Sequence, residues 1–205
     1  MSTDRPGLVS VIGAGWSLAN IDRSRIPGLR IGANDAGWRI PCTYAVTMDR
    51  LFLENRREQL GQAGRAGTTV YFRRGIEKNV HPLGANWLPF SNDHVSTRLS
   101  KEVGTLNGTN TGLCAINLAY QLHPRRLLLW GFDMCRSADG RPYFHEPYPW
   151  AKPAGATSDR KYEIWAAEFA DVARQLASRG IETLNASPVS KITAFKKIDP
   201  RKVLS

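Results

Sequence analysis

The chain has 205 residues, a net charge of +10 and 42% apolar residues. That is enough for one domain with a real core, while no apolar run approaches the roughly 20 residues that a membrane-spanning helix needs. The three cysteines, Cys42, Cys114 and Cys135, have neither metal-ligand spacing nor the even number of a disulfide framework, which excludes both and implies a reducing, cytoplasmic setting.

Met1 to Pro6 lacks the apolar core of a signal peptide. Leu8 to Ile12 is short, β-branched and nearly all apolar, the pattern of a strand covered on both faces. Gly13-Ala14-Gly15-Trp16-Ser17-Leu18 follows. Its glycines allow a sharp turn and a close backbone approach. A helix opening there would aim free N–H groups and a positive dipole end at a phosphate. Gly13, Ala14, Gly15, Trp16 and Ser17 are therefore candidate nucleotide-binding residues. A full dinucleotide fingerprint needs a third small residue where Leu18 stands, which argues against an oxidoreductase.

Leu29 to Ala33 reads as a second strand ending at Asn34-Asp35. Open α/β sheets bind ligands at that end of their strands. Asn34 offers both donor and acceptor to a base or ribose. Asp35 lies where a dinucleotide enzyme holds ribose, although the pair also suits a plain Asx-turn before Gly37. Thr43 to Met48 is a third strand, ending at Asp49. Leu51 to Gln62 is a surface helix with Leu51, Phe52 and Leu60 inward. Thr68 to Phe72 is a fourth strand. Residues 75–108 are rich in Gly, Pro and Asn around Trp87, Leu88, Phe90 and Val95. They read as an excursion over the site with one short strand.

Asn110-Thr111-Gly112 is a second polar, glycine-bearing helix start, opening a largely apolar helix over Leu113 to Leu122. Arg126 to Trp130 is a central strand followed by Gly131-Phe132-Asp133. A second excursion, 136–158, carries Tyr143, Phe144, His145, Tyr148 and Trp150 and reads as a lid. His145 is a candidate general base, since imidazole titrates near neutrality. Asp159 to Arg179 forms a helix with an apolar stripe of Ile164, Phe169, Val172, Ala173 and Leu176, capped by Ser158 and closed by Gly180. Ile181 to Leu184 is the last strand, and Pro188 opens a short closing helix through Phe195. This alternation predicts one domain over 1–205, an α/β, Rossmann-like, doubly wound and mainly parallel sheet with helices on both faces.

From Val9 to about Ile198 the chain resembles the bacterial sialyltransferase-like group. That group includes motility accessory glycosyltransferases, hydroxymethylpterin pyrophosphokinase-like proteins and small phage-encoded members. The glycine loop with Ile21-Asp22, Asn34, Asn110-Thr111-Gly112 and Gly131-Phe132-Asp133 match family motifs in order. Asn185-Ala186-Ser187-Pro188-Val189-Ser190 looks like the family's closing segment. The family's loop asparagine is Ala14 here, its arginine before the central helix is replaced near Gly108, and its lid histidine stands nearer the long helix than His145 does.

The resemblance implies a glycosyltransferase moving a sugar from a CMP- or UDP-linked donor to an acceptor hydroxyl, with no metal required. Asn34, Asn110, Thr111, Gly112 and Gly131 would hold the nucleotide, His145 would act as base, and Asp49 and Asp133 would position the acceptor. A magnesium-dependent pyrophosphokinase using Asp49 and Asp133 as metal ligands is the second enzyme class open at this point. The charge leaves a third, a nucleotide- or nucleic-acid-binding protein without turnover. Arg56-Arg57, Arg73-Arg74, Arg125-Arg126 and Lys196-Lys197 spread that charge, and no nucleic-acid-binding motif accompanies it.

Overall fold

The computed structural model describes residues 5–77, 84, 86–93, 96–150 and 158–204. Among these residues eight strands form one sheet, and every neighbouring pair is parallel. The central strand is β1 (Leu8–Ile12). On one side of it lie β2 (Leu29–Ala33), β3 (Tyr44–Thr47), β4 (Thr69–Arg73) and β5 (Trp87–Phe90). On the other lie β6 (Arg126–Trp130), β7 (Glu182–Asn185) and the short edge β8 (Lys196–Lys197). Val11 is level with Ile31 of β2 and Leu129 of β6. Strand order reverses at β1, so the β1/β6 seam is the place where such sheets open a ligand crevice at their carboxyl ends.

Among the described residues five α-helices cover the sheet: α1 (Ala36–Arg39), α2 (Arg50–Arg65), α3 (Thr111–Leu122), α4 (Asp159–Ser178) and α5 (Pro200–Leu204). Alternate side chains of each strand serve opposite faces. Val9, Val11, Leu127 and Leu129 join Ile116 of α3 and Phe169, Val172 and Leu176 of α4. Ile12, Leu128 and Trp130 face the other way, against Leu18, Ile26 and Ile40. Further out on the same sheet, Val70 and Phe72 pack with Phe52, Leu53 and Leu60 of α2. The expected doubly wound architecture is present, with all neighbours parallel. Pro89 sits in β5, at the sheet edge, the one kind of strand in which a missing N–H costs little.

Some elements differ from the sequence reading. Pro188 to Phe195 forms no helix. Ser190 folds back onto Ser187, its hydroxyl donates to Phe132 O at 2.6 Å, and Lys191 N–H donates to Asp133 O at 2.8 Å. Those bonds hold the segment against the end of β6, and the chain turns helical only at Pro200. Leu51 and Ile164 do not face the core, being 44% and 54% exposed. Leu53 takes the inward place on α2. The turn after the glycine loop is a 3-10 turn over Trp16–Asn20, and α1 was not expected. Of the two excursions, residues 78–83, 85, 94–95 and 151–157 lie outside the described residues.

Candidate functional site

The glycine loop is clamped on both sides. Gly13 N–H donates to Trp130 O and Gly15 N–H to Gly131 O, both at 2.8 Å. Asp133 then accepts the Ser17 N–H at 2.8 Å and the Ser17 hydroxyl at 2.6 Å. A Cβ on Gly13 would meet Gly131 O at 2.7 Å, and one on Gly15 would meet both Gly131 O and Asp133 Oδ2 at 2.5 Å. These glycines are glycines because the loop after β6 lies directly against them. From above, Phe144 N–H donates to Ala14 O at 3.1 Å, and Tyr143 bridges to Gly15.

The N–H groups of Gly13, Gly15 and Ser17 are thus spent inside the protein. Asp133 is 2% exposed. Burial pushes its pKa up, and the Ser17 bonds oppose that shift. The chemistry expected of Asp133, touching an acceptor, is replaced in this arrangement by holding Ser17.

Among the described residues, three amides at the carboxyl end of the sheet keep a buried atom without a hydrogen-bond partner: Asn34, Asn110 and Asn185, which ends β7. Asn34 follows β2 with φ at 50°, in the left-handed region, and its buried Oδ1 has no hydrogen-bond partner. Asn110 caps α3: its Oδ1 accepts from Leu113 N–H at 3.1 Å, and its buried Nδ2 has no partner. Buried polar atoms are ordinarily paired, so an orphan acceptor and an orphan donor at one sheet edge call for a ligand. The Asn110 amide also serves as the cap of α3. Thr111 opens α3, and its Oγ1 accepts from Met48 N–H at 3.4 Å, which leaves its own proton for another acceptor. Gly112 follows, where a Cβ would meet Phe132 at 2.9 Å. The first turn of α3 also presents a positive dipole end.

A cavity of about 620 Å³ opens beyond β6, lined by Met134, Cys135, Arg136, Tyr162, Glu163 and Lys191 among others. That is within the range of small-molecule sites. Arg136 and Lys191 bring positive charge to it, Asp159 and Glu163 bring as much negative charge, and Tyr162 and Met134 bring apolar surface. Trp16 reaches the same place: burial pushes the Cys135 thiol up, and the Trp16 indole opposes the shift. Sequence reasoning did not single out Cys135, Arg136, Tyr162 or Lys191, because they come from three separate segments.

The remaining expected residues sit elsewhere. Asp35 has no exposed surface. Its Oδ1 accepts from Trp38 Nε1 at 3.1 Å and Arg39 Nε at 3.0 Å. A carboxylate so enclosed does not suit the ribose role. His145 packs beside it, with Nε2 at 3.6 Å from Asp35 Oδ2 and its side chain 1% exposed. An acceptor hydroxyl reaches His145 only with the 136–150 segment displaced. Asp49 is exposed and caps α2, accepting from Phe52 N–H at 3.2 Å. Among the described residues, no three His, Cys, Asp or Glu side chains converge.

No family model matches the sequence, and no curated protein does. Solved structures do. The chain aligns with the MAf glycosyltransferase from Magnetospirillum magneticum AMB-1 at a TM-score of 0.60 and 13% identity, over 98% of this chain and 35% of that one. It aligns with the sialyltransferase CstII from Campylobacter jejuni, in complex with the substrate analogue CMP-3FNeuAc, at a TM-score of 0.55 and 14% identity. That match covers 95% of this chain and 86% of CstII. A CST-II structure with trisaccharide acceptor and CMP gives a TM-score of 0.53 and 17% identity, over 94% and 86% of the two chains. The chain has a glycosyltransferase fold. It spans about a third of the Magnetospirillum protein and most of CstII. Among the described residues no helix of this glycosyltransferase fold is long and apolar enough to cross a membrane.

Proposed function

We propose that the protein is a nucleotide-sugar-dependent glycosyltransferase, transferring a sugar from a CMP- or UDP-linked donor to an acceptor hydroxyl. The observation that supports this reading best is the orphan pair, Asn34 Oδ1 and Asn110 Nδ2, at the carboxyl end of a sheet with the fold of two glycosyltransferases. An acceptor and a donor at the same edge match the mixed polar edge of a base or ribose.

In this reading the donor nucleotide lies along the mouth of the β1/β6 seam. The Thr111 hydroxyl and the N–H groups at the head of α3 face its phosphates. They offset the charge that grows on the leaving nucleotide as the glycosidic bond breaks. The cavity beside Cys135 and Lys191 gives the ligand room. Ser17 and Asp133 fix the loop that borders it. The aromatic segment over Ala14 and Gly15 excludes water, which limits hydrolysis of the donor. His145 acts as base only when that segment lifts, and Asp49, exposed at the head of α2, is placed to meet an acceptor.

The test is a thermal-shift panel with CMP, CDP, UDP, GDP, ADP, ATP with and without magnesium, and NAD. A ligand at 100 times its Kd stabilises by about 2.7 kcal/mol, which gives a readable shift. A metal-independent shift with CMP or UDP is the expected result and names the donor. A shift with ATP and magnesium alone would replace the reading by phosphoryl transfer. Silence across the panel would overturn nucleotide binding and turn attention to salt-dependent nucleic-acid binding.

A further inference from the structure

The arginine pair Arg73-Arg74 takes no part in the proposed chemistry, yet the sheet brings its first member to the head of α3. Side chains of a strand alternate between its two faces. Val70 and Phe72 of β4 pack under α2, whereas Tyr71 packs with the cluster that holds α3. Arg73 lies two residues beyond Tyr71 and so stands on the α3 face. It is level with Phe90 of β5, which belongs to the same cluster. On the other side Phe72 pairs with Thr47. The residues that follow, Arg73 and Met48, therefore stand side by side, at the usual strand spacing of about 4.8 Å. Met48 touches the head of α3 twice: its N–H donates to Thr111 Oγ1 at 3.4 Å, and its Sδ lies 3.9 Å from Cys114 Sγ. Arg73 acts on the same turn, for its guanidinium opposes the upward shift that burial gives the Cys114 thiol.

That turn is positive already. The free N–H groups of a helix head carry about half a positive charge, and the first turn of α3 holds no acid. Thr111 is 8% exposed. Its hydroxyl accepts from Met48, and among the described residues nothing takes its hydrogen. The acids near by have donors of their own. Asp93, which also acts on the Cys114 thiol, accepts from Ser96 N–H at 3.1 Å, and Glu168 accepts from the Thr109 hydroxyl at 2.6 Å. Cys114 supplies no negative charge either, since burial pushes its thiol up to about 12. A guanidinium beside a helix head is repelled by it until an anion lies between them, and then both hold the anion.

We propose that Arg73 is a donor-binding residue, whose guanidinium meets the nucleotide's phosphate together with the Thr111 hydroxyl and the N–H groups at the head of α3. This role rests on the nucleotide-sugar reading, to which it adds a fixed cation. A guanidinium offers two parallel N–H groups to two phosphate oxygens, where an ammonium offers a point charge. As the bond from the sugar to the phosphate oxygen breaks, its electron pair stays on that oxygen, and Arg73 meets the charge that grows there. Arg74 is exposed and lies beyond the end of β4, so it carries the same charge without the same place.

The test is an NMR titration of the full chain with CMP, UDP, cytidine and uridine. It is repeated for Arg73→Gln, Arg73→Lys and Arg74→Gln, with urea midpoints reporting the fold. The wild type is expected to bind one of the two nucleotides more tightly than its nucleoside. Arg73→Gln loses about tenfold in affinity for that nucleotide, as the loss of a charged hydrogen bond implies, and less than about twofold for the nucleoside. Arg73→Lys falls between wild type and Arg73→Gln, keeping the charge without the fork. Arg74→Gln makes the same change in net charge and stays within about twofold of wild type, which separates contact from long-range field. An unchanged nucleotide affinity in Arg73→Gln, an equal loss for nucleotide and nucleoside, or an equal loss in Arg74→Gln would each overturn the role of Arg73 and leave nucleotide binding in place. A wild type that binds neither nucleotide would overturn the nucleotide reading itself, and this role with it.

Discussion

Asp133 takes both polar hydrogens of Ser17, the backbone N–H and the hydroxyl, across the seam between β1 and β6. One carboxylate therefore ties the loop after the first strand to the loop after the sixth. Ser17→Ala removes one of its bonds and leaves a buried charge short of a partner. The expected loss is about 1.5–3 kcal/mol, read from urea unfolding.

The same carboxyl predicts a pH effect. Its folded pKa is raised by burial above 3.8, so the native protein keeps this proton to a higher pH than the unfolded chain does. Asp133 then favours the fold increasingly as the pH falls through its raised value, with the full gain below about 3.8. The stability difference between wild type and Asp133→Asn is expected to grow in the wild type's favour over that window. A difference that is flat with pH would show that the carboxyl does not titrate with the fold.

Gly15→Ala should destabilise rather than merely block a ligand. Its new Cβ meets two oxygens at 2.5 Å, and overpacking of this kind costs about 1–3 kcal/mol. A lowered denaturation midpoint without nucleotide is the expected reading. An unchanged midpoint with weakened binding would restore the glycine to a ligand-facing role.

Two of the orphan amides can be tested without disturbing their structural duties. Asn34 has a positive φ, so Asn34→Gly removes the amide while keeping the backbone comfortable. Asn110→Ser keeps a good helix cap and deletes Nδ2. Each variant should keep its fold and lose about tenfold in nucleotide affinity, equivalent to about 1.4 kcal/mol, by calorimetry with the nucleotide the panel identifies. Full affinity in both would remove these residues from the site.

Asn117 is fully buried on α3 and organises the long connection before that helix. Its Oδ1 accepts from Ser100 N–H at 2.9 Å and Asn107 N–H at 2.8 Å, and its Nδ2 donates to Ser100 O. Asn117→Leu leaves two backbone donors unpaired, at about 1–3 kcal/mol each. Faster hydrogen exchange at residues 100 and 107 is the accompanying signature.

Much of the fold was legible because strand runs and helix stripes are local patterns. Leu8 to Ile12 and Arg126 to Trp130 needed only their β-branched or apolar runs and the turns behind them. Pro188 to Phe195 was misread because its path is fixed by Phe132 O and Asp133 O, atoms more than fifty residues away. The glycine loop was found at once, but its purpose was only half visible. That Gly13 and Gly15 yield to Gly131 and Asp133 is a fact about two distant segments. Asn34 could be picked out as the polar residue ending a strand. The enclosure of Asp35 could not, since Arg56 and His145 reach it from separate elements.

The place of β1 has a further consequence during synthesis. Its first partner, β2, begins at Leu29, but its second, β6, begins at Arg126. A ribosome making this chain must add about a hundred residues after β2 before the far side of the central strand can be paired. Until then Val9, Val11 and Ile12 offer an open, apolar strand edge to any neighbouring chain. The edge of the central strand left open longest is the one that, once zipped, borders the proposed site.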